Sequence, residues 1–105
     1  MNTIIKDWQI VSIFDGSIFV GRVLWGIVVD DMSCRFIAND YVCTSKITSV
    51  NFETKIVITH SGSIYQIIES GIESTIDLKD FELLRNGLSP QQIKAFGINS
   101  SKLHH

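Results

Sequence analysis

The side chains that could carry covalent or metal chemistry are few in this chain and do not cluster along the sequence. The thiols are Cys34 and Cys43, and His60 is the one histidine outside the C-terminal pair. Structural zinc uses four Cys or His ligands in paired short spacings, and a nucleophilic Ser or Cys needs a His base held by a third group. Neither pattern is present, nor is a phosphate-binding P-loop or a dinucleotide fingerprint. We therefore expect no enzyme activity, no metal, no cofactor, and free thiols rather than a disulfide.

Two aromatic residues are candidates for anchoring a protein partner. Phe52 lies in the middle of a predicted turn, and Trp8 begins the first predicted strand. Aromatic side chains at loop tips are typical interface anchors, because they bury a large apolar area on binding. The alternative interpretation of Phe52 is that its ring folds back onto the rim of the domain.

Acidic residues are concentrated between positions 69 and 82, where five of them stand against a single lysine. A solvated helix face is the simpler interpretation of such a run. The functional interpretation is an acidic helix that docks onto a basic partner surface, since complementary charge raises association rates and specificity. The candidate residues for this docking are Glu73, Asp77, Asp80 and Glu82.

The distribution of basic residues disfavours duplex nucleic acid as the partner. The net charge is −2, and the nine Lys and Arg residues are spread along the chain, whereas duplex binders concentrate positive charge to neutralise phosphates. Single-stranded nucleic acid is the alternative partner, because small barrels bind it by aromatic stacking beside basic side chains. The residues that would serve this alternative are Tyr41, Lys46, Phe52 and Lys55.

Strands must position most of these side chains, and residues 44–69 give the clearest strand pattern. Three short runs rich in Ile, Val and Thr are separated by a connection over residues 51–54 and by a turn at Ser61-Gly62. Glycine adopts the positive φ that tight hairpins need, and the alternation of side chains has the period of two that strands require. The pattern predicts an antiparallel meander with strands over 46–51, 55–60 and 63–69.

A second hairpin is predicted upstream of the meander. Asp15-Gly16 separates a strand over residues 8–14 from a long strand over residues 17–29, in which Gly21 and Gly26 are interruptions. Glycines inside a strand mark bulges or bends. Both faces of this strand are apolar and are predicted to be covered along part of its length, and a long bent strand that buries both faces is how a small barrel closes. The remaining upstream segments are predicted to be a loose lead-in over 1–7, a loop over 30–33 and a short strand over 35–37.

Two helices are predicted at the C-terminal end. Residues 78–86 have apolar side chains at helical spacing, with Asp77 placed to cap the helix and Gly87 placed to stop it. Residues 89–92 read Ser-Pro-Gln-Gln, which is a capping box with proline at the first helical position. This motif predicts a second helix over residues 90–96 that ends at the following glycine.

Together these elements predict one mainly β domain over residues 1–105. It is a small antiparallel β-barrel or strongly coiled sheet of about six strands (8–69) with two short C-terminal α-helices (77–97) and a frayed tail (98–105), in the style of SH3-like or Sm-like barrels. This likeness is architectural and rests on no family motif. No apolar run approaches the roughly 20 residues of a membrane-spanning helix, and the N-terminus lacks a secretory pattern, so the cytoplasm is the expected compartment.

The leading functional hypothesis is a small non-enzymatic protein-interaction module of the inhibitor, immunity or adaptor type, with an unidentified protein partner. The alternative is a barrel that binds single-stranded nucleic acid. Self-association through an exposed strand edge is compatible with both hypotheses.

Overall fold

The computed structural model describes residues 3–31 and 38–103. Strands occupy most of this part of the chain, and helical segments follow at its C-terminal end. The strands are β1 Thr3–Asp15, β2 Ile18–Asp31, β3 Tyr41–Asn51, β4 Ile56–Thr59, β5 Ile64–Ile67 and β6 Ile72–Asp77. A 3-10 turn over Leu78–Asp80 leads into α1 (Phe81–Arg85), and α2 spans Pro90–Leu103.

Five of these strands close into a hydrogen-bonded ring, in the order β1-β2-β3-β4-β5 and back to β1. The meander of β3, β4 and β5 is antiparallel, as predicted. Closure depends on β1, because its residues 3–5 pair with β5 while nearly its whole length pairs with β2. The β1–β5 pairing is parallel, so the sheet is mixed rather than wholly antiparallel. The predicted small β-barrel with C-terminal helices is confirmed.

The sixth strand extends the sheet beyond the ring. β6 runs parallel to β1 and pairs with its residues 9–14. β5 pairs with the same side of β1 at residues 3–5. The register of β1 against β2 shifts between Lys6 and Gln9, and Asp7 there has a φ of 50°. β1 is therefore irregular where its partner changes from β5 to β6. We call β6, β1 and the first half of β2 the three-stranded extension.

Two apolar cores lie on opposite faces of β1. Ile10 belongs to the core inside the barrel, whereas the next residue, Val11, belongs to a second core. The second core lies between the three-stranded extension and the two helices, which contribute Leu84 and Ile93. Successive side chains of a strand point to opposite faces, so a single strand serves both cores.

The helices have the caps that their sequences predict, with one exception. The Ser89 N–H donates to Gln92 Oε1 over 2.8 Å and the Gln92 N–H donates to Ser89 Oγ over 3.2 Å, which is the predicted capping box. α1 ends where Gly87, with a φ of 104°, donates its N–H to the Leu84 carbonyl oxygen. The Asp77 carboxylate makes no capping hydrogen bond, so the prediction that it caps the helix is wrong.

The structure differs from the predicted element boundaries at the start of β1 and at the end of β2. Residues 3–7 belong to β1 instead of a loose lead-in, because residues 3–6 pair with β2 and residues 3–5 also pair with β5. Asp30 and Asp31 end β2 instead of beginning a loop, since they pair with Ile4 and Thr3. The partners in the β1–β2 pairing are more than 20 residues apart along the chain at these ends. Such pairing leaves no local pattern in the sequence that would predict a strand.

α2 continues through Gly97 to Leu103, past the predicted end. One interior glycine costs a helix only about 1 kcal/mol relative to alanine, which is too little to stop it. The predicted strand over residues 35–37 and the thiol of Cys34 lie outside the described residues, as do the terminal histidines.

Candidate functional site

The two aromatic residues predicted to anchor a partner lie side by side at one end of the barrel. Trp8 is 8% exposed, and its indole Nε1–H donates to the Ile68 carbonyl oxygen over 3.1 Å. Phe52 is in the β3–β4 connection, with its ring centroid 6.4 Å from that of Trp8, and remains 56% exposed. Trp8 is thus a core residue that leaves little surface for a partner. Phe52 is folded onto the barrel rim and still presents about half of its surface.

The four candidate acidic residues do not lie on one helix. Glu73 and Asp77 are in β6, Asp80 is in the 3-10 turn and Glu82 is in α1. Pairing with β1 holds residues 72–77 extended, so the prediction of a single acidic helix is wrong for Glu73 and Asp77. Ile76 of β6 points into the second core. Glu73 and Asp77 are three positions before it and one position after it, and side chains alternate between the two faces of a strand. Both carboxylates therefore lie on the face of β6 that points away from that core.

The residues of the nucleic-acid alternative do not share one surface. Tyr41 begins β3 and Phe52 follows its last residue, so the whole strand separates the two rings. The Tyr41 hydroxyl donates to the Arg85 carbonyl oxygen over 2.9 Å, which joins β3 to the end of α1. Lys55 is in the connection beside Phe52, whereas Lys46 lies midway along β3 next to β2.

Exposed apolar side chains that the sequence did not single out lie at the tip of the β1–β2 hairpin. Ile18, Phe19 and Val20 are 68%, 53% and 41% exposed, and Leu78 beside them is 41% exposed. Val20 and Leu78 border the same pocket, and the Phe19 ring packs edge-on against Phe14 with 5.5 Å between centroids. We call Ile18, Phe19, Val20 and Leu78 the hairpin platform.

An apolar pocket of about 240 Å³ adjoins the hairpin platform. Ile13, Val23 and Phe81 extend its lining from the second core. The pocket lies where β3 separates from β2, because in the described part of the chain no β2 residue before Val23 pairs with β3. Gly21 shapes it: a Cβ there would lie 2.9 Å from Lys46 Cε, so the missing side chain lets the Lys46 alkyl chain cross β2. The pocket is of a size to receive an apolar side chain.

Two cations border this pocket. Arg22 and Lys46 both line it, and neither forms an ion pair or a side-chain hydrogen bond with any described residue. A salt bridge is formed elsewhere, between Arg85 and Glu82 at 3.0 Å. Lys46 is directly opposite Val23 in the sheet and its alkyl chain lies against Gly21, so Lys46 offers positive charge to a partner carboxylate at the pocket. The Arg22 side chain lies on the alternate face of β2.

The one described thiol is unsuited to nucleophilic chemistry. Burial raises the pKa of Cys43 from 9.0 to about 11, and the nearby Arg85 guanidinium opposes this only in part. A thiol with such a pKa is almost wholly protonated at neutral pH, and the thiolate is the reactive species. Among the described residues, no group of three or more His, Cys, Asp or Glu side chains is placed to hold a metal ion.

Sequence reasoning missed the hairpin platform because residues 17–29 are apolar on both faces, which predicted burial of both. The position of the apolar run could have predicted its exposure. The run begins directly after the Asp15-Gly16 turn, and the tip of a hairpin projects furthest from the neighbouring strands. Only residues from Val23 onward gain β3 as a second neighbour.

Comparison of the chain with protein-family models, with curated proteins and with solved structures gives no match. Among the described helices, none has the length and apolar character needed to cross a membrane.

Proposed function

We propose that this chain is a small non-enzymatic protein-interaction module, of the inhibitor, immunity or adaptor type, which binds its partner through the hairpin platform. The observation that carries the proposal is the group of exposed apolar side chains at the hairpin tip, of which Val20 and Leu78 border a pocket of about 240 Å³. Such surfaces are unfavourable in water and typically mark interaction sites. The proposal places the chain in the cytoplasm, which the free thiol of Cys43 supports.

The free edge of β2 adds a second means of recognition. Residues 18–22 pair with β1 on one side and with no described strand on the other. Their outward N–H and C=O groups are available to an extended segment of a partner. Side chains of an added strand alternate between faces, so one of them reaches the pocket while its neighbours do not. Main-chain hydrogen bonds supply affinity in this mode of binding, and the pocket supplies specificity.

Affinity capture with matched variants tests the platform. The test variant is Ile18→Thr combined with Val20→Thr, which keeps β-branched residues in the strand but makes the surface polar. The control is Val29→Thr, because Val29 is 38% exposed near the other end of the same strand while Val20 is 41% exposed. Loss of two buried aliphatic contacts should weaken capture at least about tenfold, since each buried methylene contributes about 0.8 kcal/mol and tenfold is about 1.4 kcal/mol.

The capture is done from cytosol of the source cells, split into nuclease-treated and untreated halves, with folding of each variant verified by circular dichroism. We expect one stoichiometric protein on the wild type and on Val29→Thr in both halves, and its loss from the platform variant. Equal capture by both variants would refute the platform. Loss on Phe52→Ser instead would move the contact to the barrel end, and material that disappears with nuclease would favour the nucleic-acid alternative.

A further inference from the structure

The three-stranded extension has two open edges, one on each side of β1. The first is the edge of β2 over residues 18–22, before β3 begins to pair with it. The second is the outer edge of β6, which pairs only with β1 among the described strands. Open edges present unpaired N–H and C=O groups, which can pair with another chain.

The two edges carry opposite charge. β6 reads Ile72-Glu73-Ser74-Thr75-Ile76-Asp77, with two carboxylates and no cation. The edge of β2 contains Arg22, and Lys46 lies beside it at the pocket, both without ion-pair partners among the described residues. When two copies meet, the acidic edge of one attracts the basic edge of the other. Two acidic edges, or two basic edges, repel each other.

The side chains of Arg22 and Glu73 lie on the same face of the sheet. Val11 in β1, Val23 in β2 and Ile76 in β6 point into the second core. Side chains alternate along each strand, so the neighbours of these residues on the same strand point away from that core. Arg22 precedes Val23 and pairs with Ser12 of β1 without a register shift, so it belongs to the outward set. Glu73 also belongs to that outward set, because it stands three positions before Ile76.

We infer that β6 of one copy pairs antiparallel with the β2 edge of a second copy, with Glu73 opposite Arg22. The direction follows from the sheet: β6 is parallel to β1 and β1 is antiparallel to β2, so a translated copy brings β6 antiparallel to β2. In this register Ile72 comes to the fork between β2 and β3, on the pocket face. This inference rests on the proposed function only in taking the hairpin platform as a protein-binding surface.

The pairing joins two different surfaces, so it is heterologous and repeats from copy to copy. Strands of about five residues bury little area, well below the roughly 1,200 Å² above which stable complexes are usual. The association is therefore weak and reversible. We expect dimers and short oligomers to appear only above about 100 µM chain, and to decrease when salt is raised, because an ion pair at a partly exposed edge is screened.

Sedimentation velocity of charge-reversed variants tests this arrangement. Arg22→Glu and Glu73→Lys should each abolish the concentration-dependent increase in sedimentation coefficient. The double variant should regain it, and so should an equimolar mixture of the two single variants. The controls are Lys94→Glu and Glu53→Lys, which make the same changes in net charge at exposed positions on α2 and in the β3–β4 connection. We expect both controls to associate as the wild type does.

Recovery in the mixture separates pairing of edges from a general effect of charge or misfolding, because each variant keeps its own defect and only the contact between them is restored. A wild type that remains monomeric up to about 1 mM would overturn the inference, since even millimolar contacts would be visible there. Absence of recovery in both the double variant and the mixture, with folding verified, would also overturn it. In either case partner capture that still depends on Ile18 and Val20 would leave the proposed function standing.

Discussion

Replacing Gly71 with alanine tests the packing that closes one end of the barrel. A Cβ on Gly71 would fall well inside van der Waals contact with Trp8 Cδ2, Cε2 and carbonyl oxygen. The indole cannot turn aside without loss, because its Nε1–H donates to Ile68 and the ring is buried. The backbone of the segment that leads into β6 must therefore shift to relieve the contact.

Two effects of opposite sign decide the outcome. Gly71 does not have the positive φ found at Gly16, Gly62 and Gly87, so alanine would by itself stabilise the fold by about 0.4–1 kcal/mol through a more restricted unfolded chain. Overpacking of a filled site costs about 1–3 kcal/mol. Because the contacts include a backbone atom and a tethered ring, we expect a net loss of about 1–2 kcal/mol, which lowers the Tm by about 5–15 °C in a domain of this size.

The measurement is urea unfolding followed by circular dichroism, repeated in a Trp8→Leu background. Leucine lacks the ring atoms that the new Cβ would meet, so Gly71→Ala should cost at least about 0.5 kcal/mol less there, the usual lower limit for residues in contact. A neutral or stabilising effect of Gly71→Ala in the wild type would refute the reasoning. An equal loss in both backgrounds would show that the indole is not the cause.

The remaining predictions concern the second core, a helix cap and the buried thiol. Leu84 is fully buried between α1 and the three-stranded extension, so Leu84→Ala should lower the free energy of unfolding by about 2–5 kcal/mol in urea titration, and a loss below about 1 kcal/mol would contradict this packing. Ser89→Ala removes the side-chain half of the capping box and should cost about 1 kcal/mol, seen as faster amide exchange in the first turn of α2, whereas unchanged exchange would contradict the cap. Burial raises the pKa of Cys43 to about 11, so the protonated thiol contributes stability that is complete below pH 9.0 and is lost as the pH rises through about 11, by at most about 2–3 kcal/mol. Cys43→Ala should remove that part of the pH dependence, measured as the difference between the two urea titration series, and identical pH dependence would contradict it. Iodoacetamide should also modify Cys43, identified by peptide mass, far more slowly at pH 8 in the folded wild type than in the unfolded chain.

The sequence by itself determined the features that depend on neighbours a few residues apart. The period of two in residues 44–69 predicted the antiparallel meander, because alternation is imposed by the backbone of each strand. Ser89 and Gln92 predicted their own hydrogen bonds, since the capping box is complete within four residues. The interruptions at Gly21 and Gly26 predicted a long, bent β2 in a closed barrel, and the ring of five strands confirms the barrel.

Only the tertiary structure decided how β1 is shared between β5 and β6, and this choice created the candidate site. Both pairings are parallel and join residues about 60 positions apart, so neither leaves a turn or a local hydrogen bond in the sequence. Pairing with β1 turned Glu73 and Asp77 from a predicted helix face into a strand edge. The end of β3 pairing at Val23 left Ile18 and Val20 exposed, although their apolar pattern predicted burial. An apolar side chain is buried only where a neighbour covers it, and that neighbour is supplied by distant parts of the chain.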